Sequence, residues 1–203
     1  MADGYRTLDS TAEWRGHVIA VRRDQVAMPT GDVLARDVVE HPGAVHVLAL
    51  DDDDRVLLIR QYRHPAGRHL LELPAGLLDV AGEPATATAA RELAEEAGLA
   101  AGQWHHLIDL LPTPGGSDEA TRVFLARGLR PATAVGFTAT GEEADLTLSW
   151  HPLDDAVELV LSGDITNATA VGAILAAAVL RRRGWSGLRP AAQPWPDRPA
   201  HAG

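Results

Sequence analysis

From residue 18 onward the chain alternates short apolar runs with clusters of turn-forming residues. Val18, Ile19, Ala20 and Val21 lead into Pro29-Thr30-Gly31-Asp32, and a second extended run covers residues 33–39. Turn chemistry between two β-prone runs predicts a hairpin, preceded by a polar leader. Residues 44–50 and 56–59 are aliphatic runs separated by Asp51-Asp52-Asp53-Asp54. That cluster predicts a solvated turn, since it lacks the alternating ligands and internal glycine of a Ca²⁺ loop. Residues 70–73 predict another strand entering Pro74-Ala75-Gly76, and Glu83-Pro84 opens an Ala-rich segment that Gly98 closes. Proline in a first turn and glycine just past the end are helix start and stop signals.

Further on, residues 105–111, 121–126 and 146–150 predict strands, with mobile loops over residues 112–118 and 132–143 between them. Loops of that length in a compact domain are often functional. Two helices follow, over residues 153–161 and 167–183, the second N-capped by Asn167 and stopped by Gly184. Its Ala and Gly content predicts close packing against a sheet. From Trp185 the composition turns to Pro, Ala, Arg and Gly without periodicity, which predicts a disordered tail over residues 185–203. A length of 203 residues fits one catalytic domain, over residues 43–184, with an N-terminal β region over residues 1–42.

Charge narrows the partners. Eighteen Lys and Arg against 28 Asp and Glu give a net charge of −10, which repels nucleic acid unless a basic patch is segregated. The basic run Arg181-Arg182-Arg183 lies where cations complement a helix C-terminus. Without cysteine there is no thiolate zinc site and no thiol nucleophile, so any metal is held by oxygen or imidazole. Nine histidines form neither HEXXH nor a spaced cluster, and on a strand His105 and His106 face opposite ways. No GXSXG or GXGXXG is present. Residues 1–13 lack a basic segment followed by an apolar run, and the longest apolar stretch, residues 168–180, is too short for a bilayer. A soluble cytoplasmic protein without membrane partners is expected.

The chemistry concentrates in Arg91-Glu92-Leu93-Ala94-Glu95-Glu96-Ala97-Gly98. On a helix, Glu92 and Glu96 stand about 40° apart and Glu95 about 60° to the other side of Glu92. Three carboxylates on one face repel each other, and the helix macrodipole opposes them in a C-terminal half. Something cationic offsets that cost. Hard oxygen ligands of this kind suit Mg²⁺ or Mn²⁺, and such ions take phosphate esters or anhydrides as substrates. The plainer alternative is a solvated acidic face with Arg91 pairing locally.

Gly76, Glu83, Arg91-Glu92-Leu93, Glu95-Glu96, Gly98 and Leu99 resemble the Nudix box, GX5EX7REUXEEXGU with U aliphatic. One departure is visible: six residues rather than five separate Gly76 from Glu83, an insertion in the loop that leaves the helical acids in register. Leu73-Pro74-Ala75-Gly76-Leu77-Leu78-Asp79, Pro114-Gly115-Gly116-Ser117-Asp118-Glu119, Arg60-Gln61-Tyr62-Arg63 and Gly141-Glu142-Glu143-Ala144-Asp145 extend the likeness to the ADP-ribose pyrophosphatase branch, in its actinobacterial form. The resemblance implies an α/β fold, a Nudix-type α/β/α sandwich with a mixed sheet, plus an N-terminal antiparallel β region that pairs two subunits. It implies Mg-dependent hydrolysis of ADP-ribose to AMP and ribose 5-phosphate. Metal ligands would be Glu92, Glu96 and the carbonyl of Ala75, with Glu95 assisting and Arg91 holding the acids in place. The catalytic base would be Glu142 or Glu143, with Glu142 favoured. Arg36, Asp37, Arg63, Leu77, Gly115, Gly116 and Ser117 match substrate-binding positions. Alternatives are another nucleoside diphosphate sugar such as GDP-mannose, an oxidised nucleoside triphosphate, or a non-catalytic Nudix binding module. The intact acids and the absence of an attached DNA-binding segment weigh against the last.

Overall fold

A computed structural model describes residues 4–134 and 145–199. At its centre lies a mixed five-stranded sheet, in the order β11 (Arg189–Pro190), β8 (Leu99–Leu110), β9 (Thr121–Pro131), β4 (Ala44–Ala49) and β7 (Ala75–Leu77). Strand β4 runs parallel to β9 and antiparallel to β7. Strand β8 pairs antiparallel with β9. All six residues of β4 are buried, because the sheet is covered on both sides and an unbroken apolar run is what such a strand requires.

Alternation along these strands builds two cores. Val45, Val47, Ala49, Phe124 and Ala126 face helix α1 (Ala85–Ala97), through Ala89 and Leu93. Leu48, Val123 and Leu125 face helix α3 (Ala168–Arg182), through Ala170, Ala173, Ile174 and Ala177. A second sheet, in the order β10-β5-β6, joins β5 (Arg55–Arg63) to β6 (Arg68–Glu72) and β10 (Thr147–Pro152), and α2 (Leu153–Ser162) packs beside α3. Helix on sheet on helix is the expected α/β/α sandwich.

Local predictions hold where local chemistry decides. Asp51 accepts hydrogen bonds from the Asp53 and Arg55 amides, so the acidic cluster is a turn. Asn167 caps α3 through a bond from the Ala170 amide at 2.9 Å. Gly98, with φ of 64°, ends α1 in the left-handed region that glycine enters without strain.

The expected hairpin is β2 (Ala20–Ala27) with β3 (Val33–Glu40). The polar leader, however, is a third strand, β1 (Arg6–Arg15), exposed along its whole length and paired with β2. A strand with no buried face carries no apolar alternation to reveal it. The loop at 112–118, expected to be mobile, is tied to β3: the Val39 amide donates to the Gly116 carbonyl, and the Asp118 amide and Ser117 Oγ donate to the Val39 carbonyl.

The chain after Trp185, expected to be disordered, folds back over the sheet through residue 199. Strand β11 (Arg189–Pro190) pairs with β8 at His106 and His105. Buried Arg122 donates to the carbonyls of Gln193 and Pro194 and stacks 4.7 Å from the Trp195 ring. Arg198 reaches the Glu83 carbonyl at the start of the α1 region. A few large side chains hold this segment, without a periodic apolar face.

Candidate active site

The acids of α1 face the strand–loop that precedes it. Glu96 Oε2 accepts from the Ala75 amide at 2.9 Å, which joins the C-terminal half of the helix to β7. A Cβ added to Gly76 would collide with the carboxylate of Glu92, so only glycine lets backbone and acid meet there. Arg91 lies among the carboxylates, 2.7 Å from Glu92, 2.9 Å from Glu95 and 3.5 Å from Glu83. Burial works against its charge, but the three acids outweigh burial and raise its pKa. This cation offsets the repulsion that the helix geometry imposes.

Two cavities open beside this cluster. The smaller, about 250 Å³, is bordered by Gln61, Asp79, Arg91, Glu92 and Glu96. The larger, about 440 Å³, is bordered by His41, His46, Glu72, Glu119, Asn167 and Thr169. Arg63, Ala75, Gly76 and Leu77 line both, so β7 and the end of β5 form their common wall. One compartment is acidic and the other mixed polar and apolar, with a guanidinium between them.

The acidic cavity has the chemistry of a hard-cation site. Its side-chain donors are carboxylate and amide oxygens, and the buried Gln61 Oε1 in its wall has no hydrogen-bond partner among the described residues. An unsatisfied buried oxygen beside carboxylates suits a cation or its hydration shell. Among the described residues no three His, Asp or Glu side chains come together as a metal cage.

In the larger cavity Glu72 is 2 % exposed. Its Oε2 accepts from Arg63 Nε at 3.0 Å and Nη2 at 2.7 Å, and its Oε1 accepts from Asn167 Nδ2 at 3.0 Å. His46 shares a 2.7 Å hydrogen bond with Thr121 Oγ1. Burial, and then the charge of Arg63, push the His46 pKa down to about 3, so its imidazole is neutral.

Of the residues expected in the site, Arg63, Leu77, Ala75, Glu92 and Glu96 meet at the two cavities. Glu95 is held on Arg91. Arg36 and Asp37 lie on β3 away from both cavities, with Asp37 paired to Arg23 at 2.7 Å. Gly115, Gly116 and Ser117 border neither; Ser117 instead fastens its loop to β3. Glu142 and Glu143 lie outside the described residues. Glu72, Gln61, His46 and Thr121 were not anticipated, and Asn167 only as a cap. A lone acid between Leu71 and Leu73 in an apolar strand was the available signal for Glu72.

A loop and an acid-bearing helix, set against a mixed sheet between helical layers, define a class of metal-dependent hydrolase. The NUDIX domain model matches residues 40–170, and the chain belongs to the Nudix family. It is 48 % identical to the ADP-ribose pyrophosphatase of Mycobacterium tuberculosis over 96 % of this chain and 93 % of that one. It is 34 % identical to the ADP-ribose pyrophosphatase of Bacillus subtilis, over 83 % of this chain and 90 % of that one. A crystal structure of an ADP compounds hydrolase shares the fold, with a TM-score of 0.76 and 23 % identity over 90 % of this chain and 97 % of that one.

Proposed function

We propose that this protein hydrolyses the pyrophosphate bond of ADP-ribose, releasing AMP and ribose 5-phosphate with Mg²⁺ as its working cation. The observation that carries this is the pair of cavities with a common wall, one acidic and one of about 440 Å³. A nucleoside diphosphate sugar needs both: a cation-lined place for the pyrophosphate and a roomier one for a sugar or base. The relatives named above supply the choice of ADP-ribose.

Glu92, Glu96 and the carbonyl of Ala75 would hold the cation, and Glu95, through Arg91, keeps those acids aligned. When bound, the cation neutralises charge on the pyrophosphate oxygens and lowers the pKa of a water. Arg63, between the cavities, pairs with a phosphate oxygen, and Leu77 packs against the substrate. Glu142, or Glu143 beside it, accepts the proton of the attacking water. The new P–O bond forms as the bridging P–O bond breaks, and the leaving phosphate takes the electron pair.

The working unit in this reading is a homodimer built on the N-terminal sheet, residues 1–42, with residues 43–184 as the catalytic domain. Tyr5, Leu8, Trp14, Val33 and Leu34 are exposed there, an apolar surface that a second copy would cover. Arg36 and Asp37, on β3 of that sheet, belong to the substrate-binding set in the same reading. No helix of the described residues is long and apolar enough to cross a membrane; a cytoplasmic location belongs to the same reading. The test is product release from ADP-ribose beside GDP-mannose, NADH and 8-oxo-dGTP, each with Mg²⁺ and with EDTA. Metal-dependent AMP and ribose 5-phosphate from ADP-ribose above the rest is expected. Preference for another substrate would refute the substrate assignment, and no turnover would refute the activity.

A further inference from the structure

Glu72 is a buried carboxylate that the hydrolytic chemistry does not use. It lies at the end of β6, and its partners come from two distant parts of the chain: Arg63 from β5 and Asn167 from the start of α3. Both Arg63 contacts go to one oxygen, Oε2, and Asn167 takes the other. Asn167 is itself fixed, because its Oδ1 accepts the Ala170 amide while its Nδ2 donates to Glu72. The carboxylate therefore stands at the positive end of a 15-residue helix and against a guanidinium, with both oxygens engaged.

We infer that Glu72 and Asn167 are positioning residues that fix the guanidinium of Arg63 in the wall between the two cavities and thereby set substrate affinity. This rests on the reading of Arg63 as a phosphate-binding residue in the proposed reaction. A long arginine side chain loses rotamer freedom when it binds an anion, and a carboxylate that already holds Nε and Nη2 removes part of that cost beforehand. The pairing also compensates Glu72 itself, whose buried carboxylate would be costly without a cation beside it, while Arg63 stays open to the cavity. Among the described residues, the hydrogen bonds of Glu72 and Asn167 go to Arg63, to each other and to the Ala170 amide, and not to the acids of α1. Their effect therefore falls on binding and leaves the chemical step alone.

The experiment is steady-state kinetics on the full chain with Glu72→Gln, Asn167→Ser, Arg63→Ala and the double variant Glu72→Gln/Arg63→Ala, together with thermal melts. Glu72→Gln preserves side-chain volume and weakens the grip on Arg63; KM is expected to rise about 10- to 100-fold, with kcat changed less than about threefold. Serine still caps a helix, so Asn167→Ser keeps α3 while removing the donor to Glu72, and KM is expected to rise about threefold to tenfold. In the Arg63→Ala background Glu72→Gln should add nothing to KM, because its effect passes through the guanidinium.

Three outcomes would overturn the inference: an unchanged KM in Asn167→Ser with its melting temperature retained, a loss in kcat with KM unmoved, or an undiminished Glu72→Gln effect without Arg63. The wild type is assayed first on the four-substrate panel. A preference for another nucleoside diphosphate sugar refutes ADP-ribose alone, and the cycle is then read on that substrate. A wild type inert towards all four overturns both readings.

Discussion

Helices α1 and α3 lie on opposite faces of one sheet and are nearly the same length, yet they are built on opposite principles. α3 carries no acidic residue, buries six residues and has a side-chain cap at its start. α1 buries three, has no side-chain cap and places Glu92, Glu95 and Glu96 where its own macrodipole disfavours them. The first helix is optimised for packing. The second retains electrostatic strain that Arg91 relieves only within the cluster, and such a local conflict between sequence and stability marks a functional element.

Removing the acids should break this contrast most sharply. Glu92→Gln or Glu96→Gln is expected to lower kcat at least about 100- to 1000-fold. The melting temperature should stay or rise, since like charges are relieved. A variant that melted early and kept its activity would make α1 a structural helix like α3.

Gly76→Ala comes next. The added methyl displaces Glu92, and a misplacement on the order of 1 Å is expected to cost activity about 10- to 100-fold. Near-normal turnover would mean that the approach of Glu92 to the β7 backbone is irrelevant to catalysis.

On the other helix the pattern should reverse. Ala173→Leu forces bulk into the closed α3 interface and is expected to destabilise by about 1–3 kcal/mol in denaturant melts. Activity per folded molecule should be kept. A kcat loss without destabilisation would place α3 inside the chemistry.

At neutral pH the smallest effect concerns His46, on the α3 side of the sheet, because its contribution changes only in acid. Its folded-state pKa of about 3 lies below its ordinary 6.5, so the unfolded chain takes up a proton that the folded chain refuses. Its contribution to stability is therefore complete above about pH 6.5 and is lost as pH falls toward 3, with a slope of at most about 1.4 kcal/mol per pH unit. His46→Asn, which can still bond Thr121 without titrating, should flatten the acid limb of stability against pH. An unchanged limb would show that other groups set it.

What could be read from the sequence was what local geometry determines. The register of Glu92, Glu95 and Glu96 follows from helical spacing, and the cap at Asn167 and the stop at Gly98 follow from side-chain and backbone chemistry within a few residues. The bond between Glu72 and Asn167 joins positions 95 residues apart, and no spacing rule reaches that far. β1 escaped detection because neither of its faces is buried, and the segment after Trp185 because single anchors such as Arg122 and Trp195 hold it. Arg36 and Asp37 illustrate a different gap: their place at the substrate was expected from resemblance alone, and β3 holds them outside the lining of both cavities.

The fold-back after Trp185 has a consequence for the order of events on the ribosome. Residues 189–198 grip β8, the Arg122 side chain and the Glu83 carbonyl, all synthesised long before them. A nascent chain can therefore carry all the acids of α1 and still lack the clasp at the entrance to that helix. Folding of that region ends with translation of this stretch, and premature termination just after α3 would yield a chain that holds the acids of α1 and is unfinished in its architecture.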